Sequence, residues 1–359
     1  MKKLLLFLVV LCISVAPVYA KESDGEFQTD SDMLLQELPS DTAELFGGID
    51  TKNPGFGESV VYLLSNALAM CTDGLQQGIR SSGILLLIVL LCSICSTLGS
   101  QKSVSVIIGA LGIYSAIIGS MGSMIQMSRD TVKELTDYSA LLLPVMASTL
   151  AISGNPITAG GLQAVTALFA QLLMRLITKL LIPGVYLYLA LVAGEGALQN
   201  SLLGEMREFL AWLIEKVLRV LMYIFTAFLT LTGVISGNAA AIAVKTTKAA
   251  MSGMVPVVGN ILSDASETLL ASTATVKNTV GVIGLLAVLG ITMLPFLKVG
   301  IQYLIMKATA ACSGTVGLKE HTAMLKHIST AMGLLLAMTG TCAVLLFVSG
   351  VCYLKVTAI

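Results

Sequence analysis

Apolar runs long enough to cross a lipid bilayer recur along this chain, and they constrain its fold more than any other feature. A spanning helix needs about 20 mostly apolar residues, because the hydrocarbon core is about 30 Å thick and each residue rises about 1.5 Å. The runs are 83–99, 104–125, 139–153, 157–174, 180–198, 217–237, 280–300 and 331–354. Pro144, Pro183 and Pro295 fall inside three of them. Helices broken at membrane depth are tolerated only where protein or a watery cavity supplies hydrogen-bond partners. The expected fold is therefore all-α: a polytopic helical membrane protein with six to eight transmembrane helices, some of them short, broken or re-entrant. Composition agrees. Of 359 residues, 56% are hydrophobic and 12% charged, the latter roughly half the usual share for a soluble domain. This excludes a disordered chain, a nucleic-acid binder built on charge and an ordinary cytosolic enzyme.

The N-terminus has the layout of a secretory signal peptide over 1–20. Lys2 and Lys3 precede an apolar run from Leu4 to Val15, and Val18-Tyr19-Ala20 is a small-x-small cleavage site. Cleavage leaves a mature chain that starts at Lys21, outside the cytoplasm. The alternative is an uncleaved first membrane helix. Residues 21–57 then form an acidic leader, with Glu22, Asp24, Glu26 and Asp30 among its carboxylates and Lys21 and Lys52 its bases. Met33, Leu34, Leu35, Leu38, Leu45 and Phe46 suit one short amphipathic helix, which Gly47-Gly48 and Asn53-Pro54-Gly55 end. The leader reads either as a solvated tail or as a docking strip for an extracytoplasmic partner. Residues 58–359 make up the multi-spanning domain.

Residues 204–219 have a different pattern. Met206, Phe209, Leu210, Leu213, Ile214 and Val217 recur at helical steps of three and four. Glu215 and Arg219 are spaced for an i,i+4 pair, and Trp212 suits a bilayer interface. The stretch reads as a membrane-interface helix carrying Phe209, Trp212 and Arg219, or as a helix packed on a partner subunit. Small residues at four-residue spacing, such as Gly119/Ser123, are typical of helices that approach closely in lipid.

Chemistry-bearing motifs are sparse. His321 and His327, placed in a polar connection, are six residues apart and share no i,i+4 face; no carboxylate or cysteine set completes a metal site with them. Cys92-Ser93-Ile94-Cys95 lies within an apolar run and reads as small membrane residues. There is no phosphate-binding Gly-rich loop and no nucleophile elbow. No catalytic residue, cofactor or metal is expected, and any energy input would come from a partner. The charges beside apolar stretches are Glu195, Lys245, Lys248, Asp264, Glu267, Lys277 and Lys298. Such charges are costly in lipid and are functional, paired or snorkelling.

Residues 233–298 concentrate these signals. An Ala/Lys segment with Lys245 and Lys248 runs into a turn at Pro256 and Gly259. A polar-faced segment with Asp264 and Glu267 follows, then Lys277-Asn278-Thr279-Val280-Gly281 and another apolar run. These residues are the candidate pore-lining or subunit-interface set, on a re-entrant or pore-adjacent hairpin. In this order they resemble the stage III sporulation protein AE family of endospore-forming bacteria. The resemblance extends over about 60–359, resting most on the K-N-T-V-G element and the P-V-x-G and D-A elements before it.

The resemblance implies a protein of the mother-cell membrane around the forespore. It implies partners: a separate cytoplasmic ATPase, several small membrane proteins and a forespore-side component, together forming a channel or secretion-like complex. It transfers no catalytic residue. The expected function is a non-enzymatic, permease-like or channel-forming core of that complex, needed for forespore development. The alternatives are a stand-alone secondary transporter for a small solute and a non-conducting membrane scaffold. The lipid bilayer is an expected partner, and nucleic acid is not.

Overall fold

A computed structural model describes residues 34–49, 55–98, 102–152, 156–231, 279–316 and 318–356. All of the regular structure there is helical. In chain order the helices are α1 (Ser40–Phe46), α2 (Phe56–Met70), α3 (Thr72–Leu98), α4 (Lys102–Ile152) and α5 (Pro156–Leu176). A π-helical turn (Ile177–Leu181) joins α5 to α6 (Ile182–Leu198), followed by α7 (Ser201–Leu231), α8 (Thr279–Val316) and α9 (Lys319–Val356). Five stretches are long and apolar enough to cross a membrane: Gly74–Leu98, Val104–Ser148, Gln163–Leu198, Gly281–Thr315 and Lys319–Val351. The chain is a polytopic helical membrane protein.

The helices are longer than the apolar runs. Runs 104–125 and 139–153 join in α4, which has 51 residues and is about 76 Å long at about 1.5 Å per residue. Polarity alone does not end a helix; glycine, proline or a competing cap does. The polar stretch between the two runs, Gln126 to Asp137, has neither glycine nor proline. It also supports itself, with Gln126 Nε2 donating to both Asp130 carboxylate oxygens at 2.8 and 3.0 Å. Its inner face is buried through Val132, Leu135 and Tyr138.

Runs 157–174 and 180–198 are likewise one rod. Pro183 cannot donate to Lys179, and the wider π-turn absorbs the misfit: the Ile182 N–H bonds to the Ile177 carbonyl, one residue beyond the α-helical partner. The interface-helix stretch 204–219 continues without a break into α7. Both histidines lie in α9 and not in a connection, since nothing after Lys319 interrupts that helix.

α8 and α9 form the central antiparallel hairpin, packed by α4 and by α2, α3, α6 and α7 around it. The N-terminal half of α8 is buried nearly all round, from Val282 through Leu289. It meets the C-terminal half of α9, where Cys342, Leu345, Leu346 and Phe347 are buried. By contrast, only 11% of the most apolar window of α3 is covered by protein, against 89% in α9. Leu87, Leu90, Leu91, Ile94 and Leu98 of α3, with Ile107, Ile108 and Leu111 of α4, face outward. This aliphatic surface is what lipid covers in a helical membrane protein.

Part of the acidic leader is neither a solvated tail nor a free strip. Leu34, Leu45 and Phe46 are buried, and α1 packs on α8 and α2. The contact depends on Gly290 of α8. A Cβ there would stand 2.9 Å from both Phe46 Cε2 and Thr42 Cγ2, closer than carbon atoms approach. The physical reason for docking is the apolar stripe on α1, which has no other surface to leave water against.

Candidate functional site

A polar cleft opens beside the proline of α8. Pro295 has no N–H, so the carbonyl of Ile291 lacks its helical partner. Both residues line a cavity of about 480 Å³. Its other walls are Ser40, Asp41 and Thr42 of α1, Ser123, Gln126, Asp130 and Glu134 of α4, and Lys298 one turn beyond the proline. A second cavity of about 370 Å³ adjoins it, the two sharing Pro39 and Glu134. Glu37, Asp137 and Tyr138 line the second. Tyr138 is 3% exposed, and its hydroxyl has no hydrogen-bond partner among the described residues.

The cleft exists because of sequence spacing. Gln126, Asp130, Glu134 and Asp137 follow steps of four and three, which places them on one face of α4. Their neighbours Val132 and Leu135 face the core. Lys298 is the one base among the described lining residues of the two cavities. The arrangement is an acid-rich recess midway along helices that are otherwise apolar. It offers polar groups to a solute or a partner side chain. Among the described residues no group of three His, Cys, Asp or Glu side chains is placed to hold a metal ion.

A second polar centre ties α6, α7 and α9 together. Arg207 of α7 is 5% exposed, and its Nε donates to Glu195 Oε2 at 2.7 Å. Its Nη2 reaches Glu208 Oε1 at 3.4 Å. The Tyr188 hydroxyl donates to the backbone carbonyl of His327 at 3.2 Å. The hairpin that brings the pair together turns at Gln199, which has φ 53°, and Asn200 Oδ1 accepts the Leu202 N–H at 3.0 Å. Gly204 leaves room for the carboxylate: a Cβ there would be 2.8 Å from Glu195 Oε1. His321 is buried nearby in the fold of α9, with Nε2 3.2 Å from the Val106 carbonyl.

Of the residues singled out by sequence, Lys245, Lys248, Pro256, Gly259, Asp264, Glu267, Lys277 and Asn278 lie outside the described residues. Gly281 is buried in the first turn of α8. Phe209 and Trp212 are exposed on α7 and stack with centroids 6.0 Å apart, and Lys216 Nζ lies 5.9 Å from the Trp212 ring. Arg219 is exposed one turn further on. Glu195 and Lys298 come to the two polar centres, while Arg207 and the α4 carboxylates were not anticipated. The signal for the latter was their four-residue spacing. For Arg207 there was none, because its neighbours Glu205 and Glu208 make the segment look solvated.

Comparison with known proteins agrees with the family resemblance. A protein named stage III sporulation protein AE, from Bacillus subtilis (strain 168), is 24% identical over 241 residues. The match covers 66% of this chain and 60% of that protein, so this chain spans less than two thirds of its relative's length. No solved structure is similar to this chain. The sequence pattern of the family described as stage III sporulation protein AE matches residues 50–356. That span takes in every described helix from α2 to α9, and the chain belongs to the stage III sporulation protein AE family.

Proposed function

We propose that this chain is the non-enzymatic, permease-like membrane core of a sporulation channel complex that links mother cell and forespore. The observation that carries the reading is the cleft at Pro295: a polar recess bounded by a freed carbonyl, carboxylates of α4 and Lys298, within a bundle of membrane-length helices. Interrupted helices beside polar cavities are where membrane proteins place transport and gating sites. The family supplies the setting, which is sporulation. In this reading the chain sits in the mother-cell membrane around the forespore. The signal peptide is removed, and the mature leader lies outside the cytoplasm, where α1 forms one wall of the cleft. A separate ATPase and small membrane proteins complete the complex and provide the energy that this chain has no nucleotide-binding loop to provide.

The test is a pair of variants in sporulating cells, Asp130→Asn/Glu134→Gln and Lys298→Met. Both are expected to reach wild-type levels in the membrane and to co-purify with partner proteins. Spore yield is expected to fall by about tenfold, the effect of about 1.4 kcal/mol at one limiting step. Normal yield from both variants at normal levels would leave the cleft without a role, and a non-conducting scaffold would be the better reading.

A further inference from the structure

Four rods, α4, α5 with α6, α7 and α8, each carry charge near mid-length. α4 has no charged side chain between Lys102 and Arg129, then carries Arg129, Asp130, Lys133, Glu134 and Asp137, then none to its end at Ile152. The rod of α5 and α6 carries Arg175 and Lys179 at its middle and Glu195 near its end, α7 carries Glu215, Lys216 and Arg219 at its middle and Glu205, Arg207 and Glu208 near its start, and α8 carries Lys298 at its middle and Lys307 nine residues on.

Contacts put these mid-length charges in register. Lys298 and Asp130 line the same cleft. Gly196 of α6 packs on Ala110 of α4: a Cβ added at Gly196 would stand 3.4 Å from the Ala110 Cβ. Because the rods run antiparallel, seventeen residues along each from that contact arrive at Met127 on α4 and Lys179 on the other rod. Gly184 of α6 packs on Ile214 of α7, where an added Cβ would stand 3.4 Å from Ile214 Cδ1, which sets Glu215 to Arg219 opposite Lys179 to Pro183. The charges form a girdle about halfway along the bundle.

The girdle carries both signs. On α4 the acids Asp130, Glu134 and Asp137 line the two cavities, Asp130 and Asp137 at exposed positions. Arg129 and Lys133 line neither cavity and are exposed, as are Arg175, Lys179, Lys216 and Arg219. Glu215 is the exposed acid among the α7 charges, spaced i,i+4 from Arg219. Half-exposed Trp212 and Tyr186 lie within about two turns of the girdle, the placement of an interfacial aromatic belt.

A bilayer with its headgroups is about 40–45 Å thick, and α4 is about 76 Å long, so lipid cannot cover the whole helix. Exposed bases are costly within hydrocarbon and favourable at a surface of anionic headgroups. We propose that the girdle lies at one face of the bilayer. There Arg129, Lys133, Arg175, Lys179, Lys216 and Arg219 bind the phosphates of anionic lipid headgroups. One apolar tier of the bundle is then in lipid, and the other stands clear of it. Asp130 and Lys298 belong to both girdle and cleft, so the cleft then opens at that same bilayer face.

Two measurements on the full-length chain test it. Lipids retained on protein purified from membranes of phosphatidylglycerol and phosphatidylethanolamine are expected to be enriched in phosphatidylglycerol. The variant Arg129→Gln/Lys133→Gln/Arg175→Gln/Lys179→Gln is expected to lose that enrichment by about fivefold or more; unchanged retention overturns the proposal. Single cysteines at 129, 133, 175 and 179, in a background without native cysteines, are treated with a membrane-impermeant maleimide in intact cells and in inverted vesicles. All four are expected to react from the same side. Reaction from opposite sides, or from neither, overturns the proposal even where the fourfold variant fails to accumulate.

Discussion

Arg207 carries a charge at 5% exposure on one short hydrogen bond, from Nε to Glu195 Oε2 at 2.7 Å. Arg207 is buried while the Glu195 side chain is 30% exposed, so losing Glu195, which leaves a buried guanidinium unpaired, costs more than losing Arg207, and removing both costs less than the sum. A double-mutant cycle therefore has a definite expectation. Glu195→Gln and Arg207→Met each lower the melting temperature of the purified protein, and Glu195→Gln/Arg207→Met lowers it by less than the sum of the two. Strictly additive losses would mean that the pair is not coupled. At this scale the sequence was legible where chemistry is costly in lipid: Glu195 and Lys298 stand out because each follows an apolar run, and both reach polar centres. It was not legible where burial is decided by a distant contact. The cavity that Gly204 leaves for Glu195, and the covering of Arg207 by α6 and α9, depend on how the α6–α7 hairpin turns at Gln199.

Elements were legible as apolar runs and not as continuous helices. Each run from 83–99 to 331–354 is found in a helix, apart from residues 99, 153 and 232–237, which lie outside the described residues. The joins were hidden because the Gln126 to Asp137 stretch reads as a loop by polarity but has no residue that stops a helix. A proline does not always end a helix either. Pro144 and Pro295 both lie inside long helices, and the π-turn before Pro183 keeps that rod continuous. Pro295 is the one beside the cleft, and it yields a prediction of its own. Pro295→Ala restores the hydrogen bond to the Ile291 carbonyl, and a proline in a helix interior costs about 3 kcal/mol. The variant is expected to melt at a higher temperature than the wild type and to support fewer spores. A variant that is more stable and fully active would show that the interruption at Pro295 is not used.

The whole molecule is a tall bundle built on the α8–α9 hairpin, with a girdle of charge at mid-height and the leader helix α1 closing one side of the cleft. Its membrane character was legible from composition and run length alone. Its height was not, because height follows from helix continuity. Nor was the docking of α1, which Gly290 makes possible from about 245 residues away in the chain. That contact predicts that Gly290→Leu frees the leader. Residues 34–49 should then be cut by added protease in right-side-out membranes far faster than in the wild type, while the bundle stays intact; equal rates would mean that α1 is held elsewhere. The most direct test of the account is water accessibility of the cleft in place. Single cysteines at Gln126, Asp130, Lys298 and Val132, in a background without native cysteines, are labelled with a small charged thiol reagent in membranes of sporulating cells with partner proteins present. The account predicts that Gln126, Asp130 and Lys298 label readily and that a neighbour turned into the core, Val132, does not. Cleft positions that label no faster than Val132 would contradict a water-filled recess and, with it, the permease-like core.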